Sequence, residues 1–276
     1  METVSIGKRM VGAGHPCFIV AELSANHNGS FQRAKDIITA ARDAGADAVK
    51  FQTYTADTIT LDCDNEYFII KEGPWAGQTL HQLYSKAYTP WKWQPKLKAY
   101  AESLGLEAFS TPFDPTAVDF LAQMDVPAYK IASFELADLP LIKKAAQQNK
   151  PMIMSTGMAT EEEIGAAVAT VREGGNDSIV LMQCTSSYPA PAEEARLAAM
   201  GTMAHLFDVP VGLSDHTLSN EVCMVSVALG AVLIEKHLTL SRNDGGPDAG
   251  FSLEPKEFAA MVASVRRTEI LMGNGK

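Results

Sequence analysis

The sequence predicts a (β/α)8 TIM barrel, an α/β fold with eight parallel strands. Short apolar segments that fit buried strands alternate with segments of helical periodicity eight times along 276 residues. The strand segments are apolar throughout, as expected for strands covered on both faces. An open, doubly wound sheet is the alternative, but no early strand is followed by the glycine-rich nucleotide fingerprint of such a sheet. We therefore expect one barrel domain over residues 1–276.

The elements are predicted in chain order, after a polar lead-in over residues 1–16. Ser30 is placed to cap the first helix, which ends at Gly45, and Thr160 with Glu163 forms a capping box at the fifth helix. The predicted strands cover residues 18–23, 46–52, 107–111, 128–133, 151–156, 179–186, 209–214 and 231–237. The helices after the first are predicted over residues 92–104, 115–124, 140–148, 160–172, 193–206, 220–229 and 255–272.

A long insertion, residues 53–91, follows the second predicted strand and is rich in tyrosine and tryptophan. Loops of this length in compact domains are usually functional. The aromatic side chains, Trp75 among them, indicate a lid or a partner surface. Packing across one end of the barrel explains them equally well.

Composition restricts the partners and the compartment. The net charge of −10 argues against general binding to nucleic acids or anionic membranes. No apolar run has membrane-spanning length, and the amino-terminal residues do not resemble a signal peptide. We therefore expect a cytoplasmic protein with reduced cysteines, of which Cys17, Cys184 and Cys223 are buried thiols.

Polar side chains follow nearly every predicted strand at its carboxyl end, where barrel enzymes carry their active sites. Period-two alternation places Lys50 and Gln52 on one face of their strand and Glu235 and His237 on one face of theirs. The residues at these ends include Glu22, Lys50, Gln52, Ser110, Thr111, Lys130, Ser133, Ser155, Ser186, Ser214, Glu235 and His237.

His216 and His237 end neighbouring predicted strands, so their imidazoles are expected to lie side by side as a candidate metal site. Two unrelated histidines that bond to loops are the alternative. Two imidazoles would leave about four positions of an octahedral ion for water and substrate oxygens. Imidazole suits zinc or iron as well, so the residues leave the metal open. The same alternation turns Asp215 and Lys236 away from the mouth, which favours packing or structural roles for both.

Lys50 and Lys130, together with the hydroxyls at the same mouth, predict a site for phosphate or carboxylate groups. The alternative role for either lysine is to form a Schiff base with a carbonyl substrate. Glu22 and Glu235 are the carboxylates placed to orient water. Asp248, in a turn-rich loop after the last strand, is a candidate contact to substrate, and a plain turn without a role in binding is the alternative.

Seven ordered motifs match a known family. They are Ala21-Glu-Leu-Ser-Ala-Asn-His-Asn-Gly29, Lys50-Phe-Gln52, Ser110-Thr-Pro-Phe113, Tyr129-Lys-Ile-Ala-Ser133, Ser155-Thr-Gly-Met158, Gly212-Leu-Ser-Asp-His-Thr217 and Glu235-Lys-His237. Together they resemble the N-acetylneuraminate synthase family. Further stretches, such as Gly245-Gly-Pro-Asp248, look most like its pseudaminic acid synthases.

This resemblance implies an enzyme that condenses phosphoenolpyruvate with an open-chain 2,4-diacetamido-2,4,6-trideoxy hexose of the altrose type. The implied catalytic residues are Glu22, Lys50, Lys130, His216 and His237. The implied phosphoenolpyruvate ligands are Lys50, Gln52, Ser110, Thr111, Lys130, Ser133, Ser155, Ser186 and Ser214. The implied sugar contacts are Glu135, Tyr188 and Asp248. By the same resemblance, His216 and His237 would bind Mn2+ or Mg2+.

The match leaves alternatives and shows two departures. N-acetylneuraminate or legionaminic acid synthesis, a lysine-imine aldolase, and an impaired barrel that binds phosphoenolpyruvate or a partner remain open. Ser186 stands where sialic acid synthases commonly have asparagine, which weakens the transfer of that contact. The sequence stops at Lys276 without the small antifreeze-like domain of full-length members. We therefore expect impaired sugar turnover with retained metal and phosphoenolpyruvate binding, and a possible homodimer.

Overall fold

A short antiparallel hairpin precedes the barrel in the computed structural model, which describes residues 3–73 and 75–273. Its strands are β1 (Val4–Ile6) and β2 (Arg9–Val11), both within the predicted lead-in. The backbone N–H of Lys8 donates to Glu107 Oε1 at 2.9 Å, where a barrel strand begins. The hairpin therefore lies at the amino-terminal end of the barrel. The sequence analysis predicted no strands here, because three-residue strands are too short to show an alternating pattern.

Eight parallel strands close into a barrel, which confirms the predicted fold class and excludes the open sheet. They are β3 (Phe18–Glu22), β4 (Ala48–Thr53), β5 (Glu107–Pro112), β6 (Tyr129–Ile131), β7 (Met152–Ser155), β8 (Ile179–Cys184), β9 (Val211–Asp215) and β10 (Leu233–His237). The order around the barrel is β10-β3-β4-β5-β6-β7-β8-β9. Because all eight run in one direction, their carboxyl ends meet at a single mouth.

Helices follow the strands and cover the barrel. They are α1 (Phe31–Asp43), α2 (Ala56–Ile59), α3 (Leu80–Ala87), α4 (Gln94–Ser103), α5 (Pro115–Gln123), α6 (Leu139–Ala146), α7 (Glu161–Glu173), α8 (Ala199–Phe207), α9 (Glu221–Ala228) and α10 (Pro255–Met272). The Ser30 hydroxyl accepts from the Arg33 N–H, and the Thr160–Glu163 capping box is present, as predicted. Within the described residues, no helix combines the length and the hydrophobicity that a membrane crossing requires.

The apolar stripe of each covering helix faces the strands. On α1, for example, Ile37 and Ile38 are fully buried, and each such side chain contributes about 1.5–3 kcal/mol relative to exposure. The helices cover the outside of the barrel, and the polar carboxyl ends of the strands lie at its mouth.

Two segments differ from the sequence prediction. Residues 193–206, predicted as one helix, contain a 3-10 turn, Ala192–Glu194, and then most of α8. Between them Arg196 has φ +46°, a left-handed conformation that interrupts a helix. The insertion is also not a plain loop, because it holds α2, α3 and an antiparallel bridge between Ile69 and Thr79.

Candidate active site at the carboxyl ends of the strands

Four charged side chains from four strands meet inside the mouth. Lys50 Nζ lies 2.5 Å from Glu22 Oε2 and 3.5 Å from Glu235 Oε1. Lys130 Nζ donates to both carboxylate oxygens of Glu235, at 2.9 and 3.0 Å. All four residues are buried. Buried charges are tolerated when they are paired and hydrogen-bonded, and here each cation faces a carboxylate.

The two carboxylates differ in electrostatic environment. Burial alone would raise the pKa of Glu235, but the charges of Lys130 and Lys50 lower it to about 2. Burial raises the pKa of Glu22, and the charge of Lys50 only partly opposes that rise. Pairs of groups whose environments push their pKa values apart are typical of acid–base sites. Glu235 is thus held as a permanent anion, and Glu22 is the carboxyl suited to exchange a proton.

Hydroxyl groups lie at the same end of the barrel as this cluster, and two of them have no partner in the described part of the chain. The Thr111 hydroxyl accepts from Lys50 Nζ at 3.0 Å, and the Ser214 hydroxyl donates to Glu235 at 3.4 Å. The buried hydroxyl oxygens of Ser155 and Ser186 have no hydrogen-bond partner among the described residues. Unsatisfied buried polar atoms are uncommon in folded proteins, so these two indicate a place for a polar ligand.

Gly157 keeps the space beside Ser186 and Ser133 open. Its N–H donates to Ser133 Oγ at 3.1 Å. A Cβ at this position would lie 2.4 Å from Ser186 Oγ and 2.9 Å from Ser133 Oγ, which is closer than real contacts allow. Two serine hydroxyls and a bare backbone therefore form a cradle that only glycine leaves open.

One of the predicted anion ligands, Ser110, is placed differently. The Ser110 hydroxyl bonds to Thr53 Oγ1 at 2.7 Å, and the Thr53 hydroxyl donates to Gln94 of α4 at 2.7 Å. Ser110 therefore faces the helix layer and does not join Lys50, whereas its neighbour Thr111 does. Gln52 lies on the same strand as Lys50 and is partly buried, and it stays a predicted ligand.

The two predicted metal ligands lie side by side, with ring centroids 5.4 Å apart. His216 Nδ1 donates to the Thr185 carbonyl oxygen at 2.9 Å, so in the neutral ring its Nε2 keeps a lone pair. His237 Nδ1 lies 3.2 Å from Ser24 Oγ, which likewise leaves Nε2 free of that contact. Burial lowers the pKa of His237 well below its usual value, which keeps the ring neutral. A hydrogen bond on the second ring nitrogen is the usual arrangement of a metal-binding histidine.

In the described part of the chain, His216 and His237 have no third His, Cys, Asp or Glu side chain beside them that could complete a metal site. Within residues 3–73 and 75–273, no group of three or more His, Cys, Asp and Glu residues is arranged to hold a metal ion. Two imidazoles alone would suit an ion that takes its other ligands from water and substrate oxygens.

The three predicted sugar contacts reach the mouth from different loops. Asp248 Oδ2 accepts from the Ala25 N–H at 3.0 Å. The Tyr188 ring centroid lies 4.4 Å from that of His216. Glu135 Oε2 is buried without a partner among the described residues, and burial raises the pKa of this carboxyl to about 7. All three remain candidates for contact with a substrate.

An aromatic cluster at the imidazoles went largely unpredicted. The Phe251 ring centroid lies 5.0 Å from those of both His237 and Tyr188. Trp75 of the insertion packs against Tyr188 and Phe251, and its Nε1–H donates to the Pro247 carbonyl at 2.9 Å. This placement of Trp75 fits both interpretations of the insertion, a lid and packing across one end of the barrel. Nothing in the sequence pattern set Phe251 apart from a core residue.

Comparisons with known proteins agree with this architecture. A family model described as the NeuB family matches residues 37–276, more than half of the chain. The chain is 45% identical over 259 residues to a pseudaminic acid synthase of Campylobacter jejuni, covering 94% of this chain and 76% of that protein. It is 39% identical over 269 residues to an N,N'-diacetyllegionaminic acid synthase of Legionella pneumophila, covering 96% and 76%. The solved N-acetylneuraminic acid synthetase of Leptospira borgpetersenii, in complex with citrate, matches with a TM-score of 0.90 and 32% identity, covering 100% of this chain and 91% of that one.

Proposed function

Because this chain belongs to the NeuB family, we propose that it makes pseudaminic acid and phosphate from phosphoenolpyruvate and an open-chain 2,4-diacetamido-2,4,6-trideoxy-altrose. The broader assignment, a phosphoenolpyruvate-dependent synthase, follows from the family and its relatives. The finer choice of sugar is supported by the identity of 45% to a pseudaminic acid synthase, against 39% to a legionaminic acid synthase.

The observation that carries this proposal is a buried pair of lysines at the same end of the barrel as serine hydroxyls that have no partner among the described residues. Phosphoenolpyruvate has two anionic groups, a phosphate and a carboxylate. Lys50 and Lys130 supply two cations, and Ser155 and Ser186 supply free hydroxyls at the same mouth. Cations and hydroxyls together are the usual ligands of such groups.

In the proposed reaction, C3 of phosphoenolpyruvate attacks the sugar aldehyde and water adds to C2. The C2–O bond then breaks, and the phosphate leaves with its bridging oxygen. Glu22, whose pKa is raised by burial, is suited to take a proton from the attacking water. Lys50 and Lys130 stabilise the charge of the tetrahedral intermediate in a site already organised for it.

His216 and His237 are the proposed ligands of the divalent cation. When bound there, the cation would polarise the aldehyde oxygen. Glu135, Tyr188 and Asp248 are proposed to orient the sugar, because they come from three separate loops, with Tyr188 against His216 and Glu135 close enough to feel the charges of Lys50 and Lys130. Glu235 is proposed to keep both lysines charged and in place.

The test measures phosphate release from phosphoenolpyruvate in the presence of Mn2+ and the altrose-type sugar. We expect release that depends on the sugar and is lost in His237→Ala. N-acetylmannosamine and the precursor sugar of legionaminic acid serve as competing substrates.

The possible outcomes separate the readings. Faster turnover of either competing sugar would replace the proposed product with N-acetylneuraminic or legionaminic acid. Phosphoenolpyruvate binding without release, seen with every sugar, would instead favour the impaired barrel.

A further inference from the structure

A third buried lysine lies directly behind the two imidazoles. Lys236 stands between Glu235 and His237 on β10, so its side chain points to the helix layer while theirs point to the mouth. It is fully buried and forms an ion pair with Asp215, which is also buried. The barrel register pairs these two residues across β9 and β10. The ion pair therefore joins the two strands that carry His216 and His237.

The Lys236 ammonium is saturated by acceptors from the loop that follows β9. Besides Asp215, it donates to the Thr217 carbonyl at 2.6 Å and to the Ser219 carbonyl at 3.3 Å. Asp215 Oδ1 in turn accepts from the Thr217 N–H at 2.9 Å. Both chain neighbours of His216 are thus held by the same ion pair.

This loop has no regular structure of its own to hold it. It connects the end of β9 at Asp215 with the start of α9 at Glu221. His216 makes further bonds through its ring to Thr185 and through its carbonyl to the Ala190 N–H. Those bonds orient the residue toward the loop after β8. The β9–β10 pairing ends at Asp215 and Lys236, and the Lys236 side chain carries the link from β10 on to Thr217, the residue after His216.

We propose that Lys236, through its ion pair with Asp215, is a positioning residue that sets the spacing of His216 and His237 for a divalent cation. The inference rests on the proposed function, because it assumes that the two imidazoles bind a metal. A buried ion pair is weak evidence for stability, since apolar replacements of both partners are often neutral. Its two bonds to loop carbonyls, by contrast, fix a geometry that no apolar side chain reproduces.

The test uses two variants and measures metal binding without substrates. Lys236→Met keeps the length of the side chain but leaves Asp215 as an unpaired buried charge. The double variant Lys236→Met/Asp215→Asn removes both charges and keeps an oxygen for the Thr217 N–H, so it remains informative if the single variant folds poorly. We expect Mn2+ affinity, measured by titration calorimetry, to fall about 10- to 100-fold in the double variant, as for other residues that orient metal ligands.

A second measurement reports on His216 itself. In ¹⁵N-histidine NMR spectra of metal-free protein, we expect one tautomer of His216 in the wild type, with the proton on Nδ1, and a mixture of tautomers in the double variant. Leu121→Ala is the control, because it removes a fully buried side chain from α5, which follows the strand opposite β9 in the barrel. It should lower stability and leave Mn2+ affinity unchanged.

The outcomes separate the inference from its premise. Wild-type Mn2+ affinity in the double variant would overturn the positioning role. An equal loss in Leu121→Ala would also overturn it, because general destabilisation would then explain the effect. Failure of the wild-type protein to bind Mn2+ would overturn the metal-dependent function and the inference together.

Discussion

Three buried lysines divide between two regions of this barrel, and their surroundings differ. Lys50 and Lys130 point into the mouth, next to buried serine hydroxyls and a Glu135 oxygen without partners among the described residues. Lys236 points the opposite way, and all its donors meet fixed acceptors on the protein. The three lysines are almost equally inaccessible to solvent.

The difference shows that burial of a charge does not by itself mark a reactive site. The mouth differs because buried polar atoms near Lys50 and Lys130 have no hydrogen-bond partner among the described residues, which lowers the stability of the folded protein. Among the described residues around Lys236 and Asp215, no buried polar side-chain atom lacks a partner, so these two charges serve the geometry of the strands. The following predictions test this distinction, beginning with the largest effect.

Lys130→Met should lower catalytic activity strongly while the protein still folds. We expect kcat/KM for phosphoenolpyruvate to fall about 10²–10³-fold, because a preorganised cation for the intermediate is lost. We expect a smaller loss of unfolding free energy than in Lys236→Met, since Glu235 keeps Lys50 at 3.5 Å. Lys236→Met leaves Asp215 unpaired, which typically costs about 3–5 kcal/mol.

Steady-state kinetics and urea denaturation measure the two effects. Lys144→Met, at an exposed pair with Asp119, is the control and should change neither by much. A Lys130→Met enzyme with nearly full activity would place the reaction outside this lysine cluster.

Gly157→Ala should weaken phosphoenolpyruvate binding by filling the space between Ser133 and Ser186, without affecting the metal site. The added Cβ would meet Ser186 Oγ at 2.4 Å and Ser133 Oγ at 2.9 Å. Overpacking of this kind costs about 1–3 kcal/mol, so we expect phosphoenolpyruvate to bind roughly tenfold to hundredfold more weakly, with unchanged affinity for Mn2+.

Gly165→Ala is the matched control, because its Cβ would meet only Phe207 Cε1, at 3.6 Å, on the outside of α7. It should leave binding unchanged and stabilise the helix by up to about 1 kcal/mol. Equal effects of the two substitutions on phosphoenolpyruvate affinity would remove the cradle from the binding site.

Glu135→Gln tests how much a buried carboxyl oxygen without a hydrogen-bond partner among the described residues lowers the free energy of unfolding. Burial raises the pKa of Glu135 to about 7, so the folded protein holds this proton more tightly than the unfolded chain does. The stabilisation is complete below the unfolded pKa and is lost as pH rises through about 7. Relative to wild type, the variant should therefore gain about 1–2 kcal/mol between about pH 4 and about pH 8, because solvent screens part of the shift.

Urea denaturation across this pH range gives the comparison. Glu162→Gln, at an exposed position of α7, is the control and should track the wild type at every pH. A Glu135→Gln curve parallel to wild type would mean that this carboxyl carries no stability cost in the folded protein.

Much of the mouth could be predicted because strand alternation is a local property. The ends of neighbouring strands placed His216 and His237 together, and period-two alternation turned Lys236 and Asp215 outward. The structure has all four in those positions. Ser110 and Thr111 were both predicted as ligands. Only their sheet and helix neighbours decide which faces the mouth.

The sequence by itself determined the eight strand–helix units, their direction and the set of polar residues at the strand ends, because hydrophobic periodicity acts within short segments. Only the tertiary structure decided which of these residues pair. Glu235 faces both Lys50 and Lys130, and Trp75 reaches Pro247 across the mouth. Such contacts join residues more than a hundred positions apart, and they depend on barrel closure and loop conformation, which no local pattern encodes.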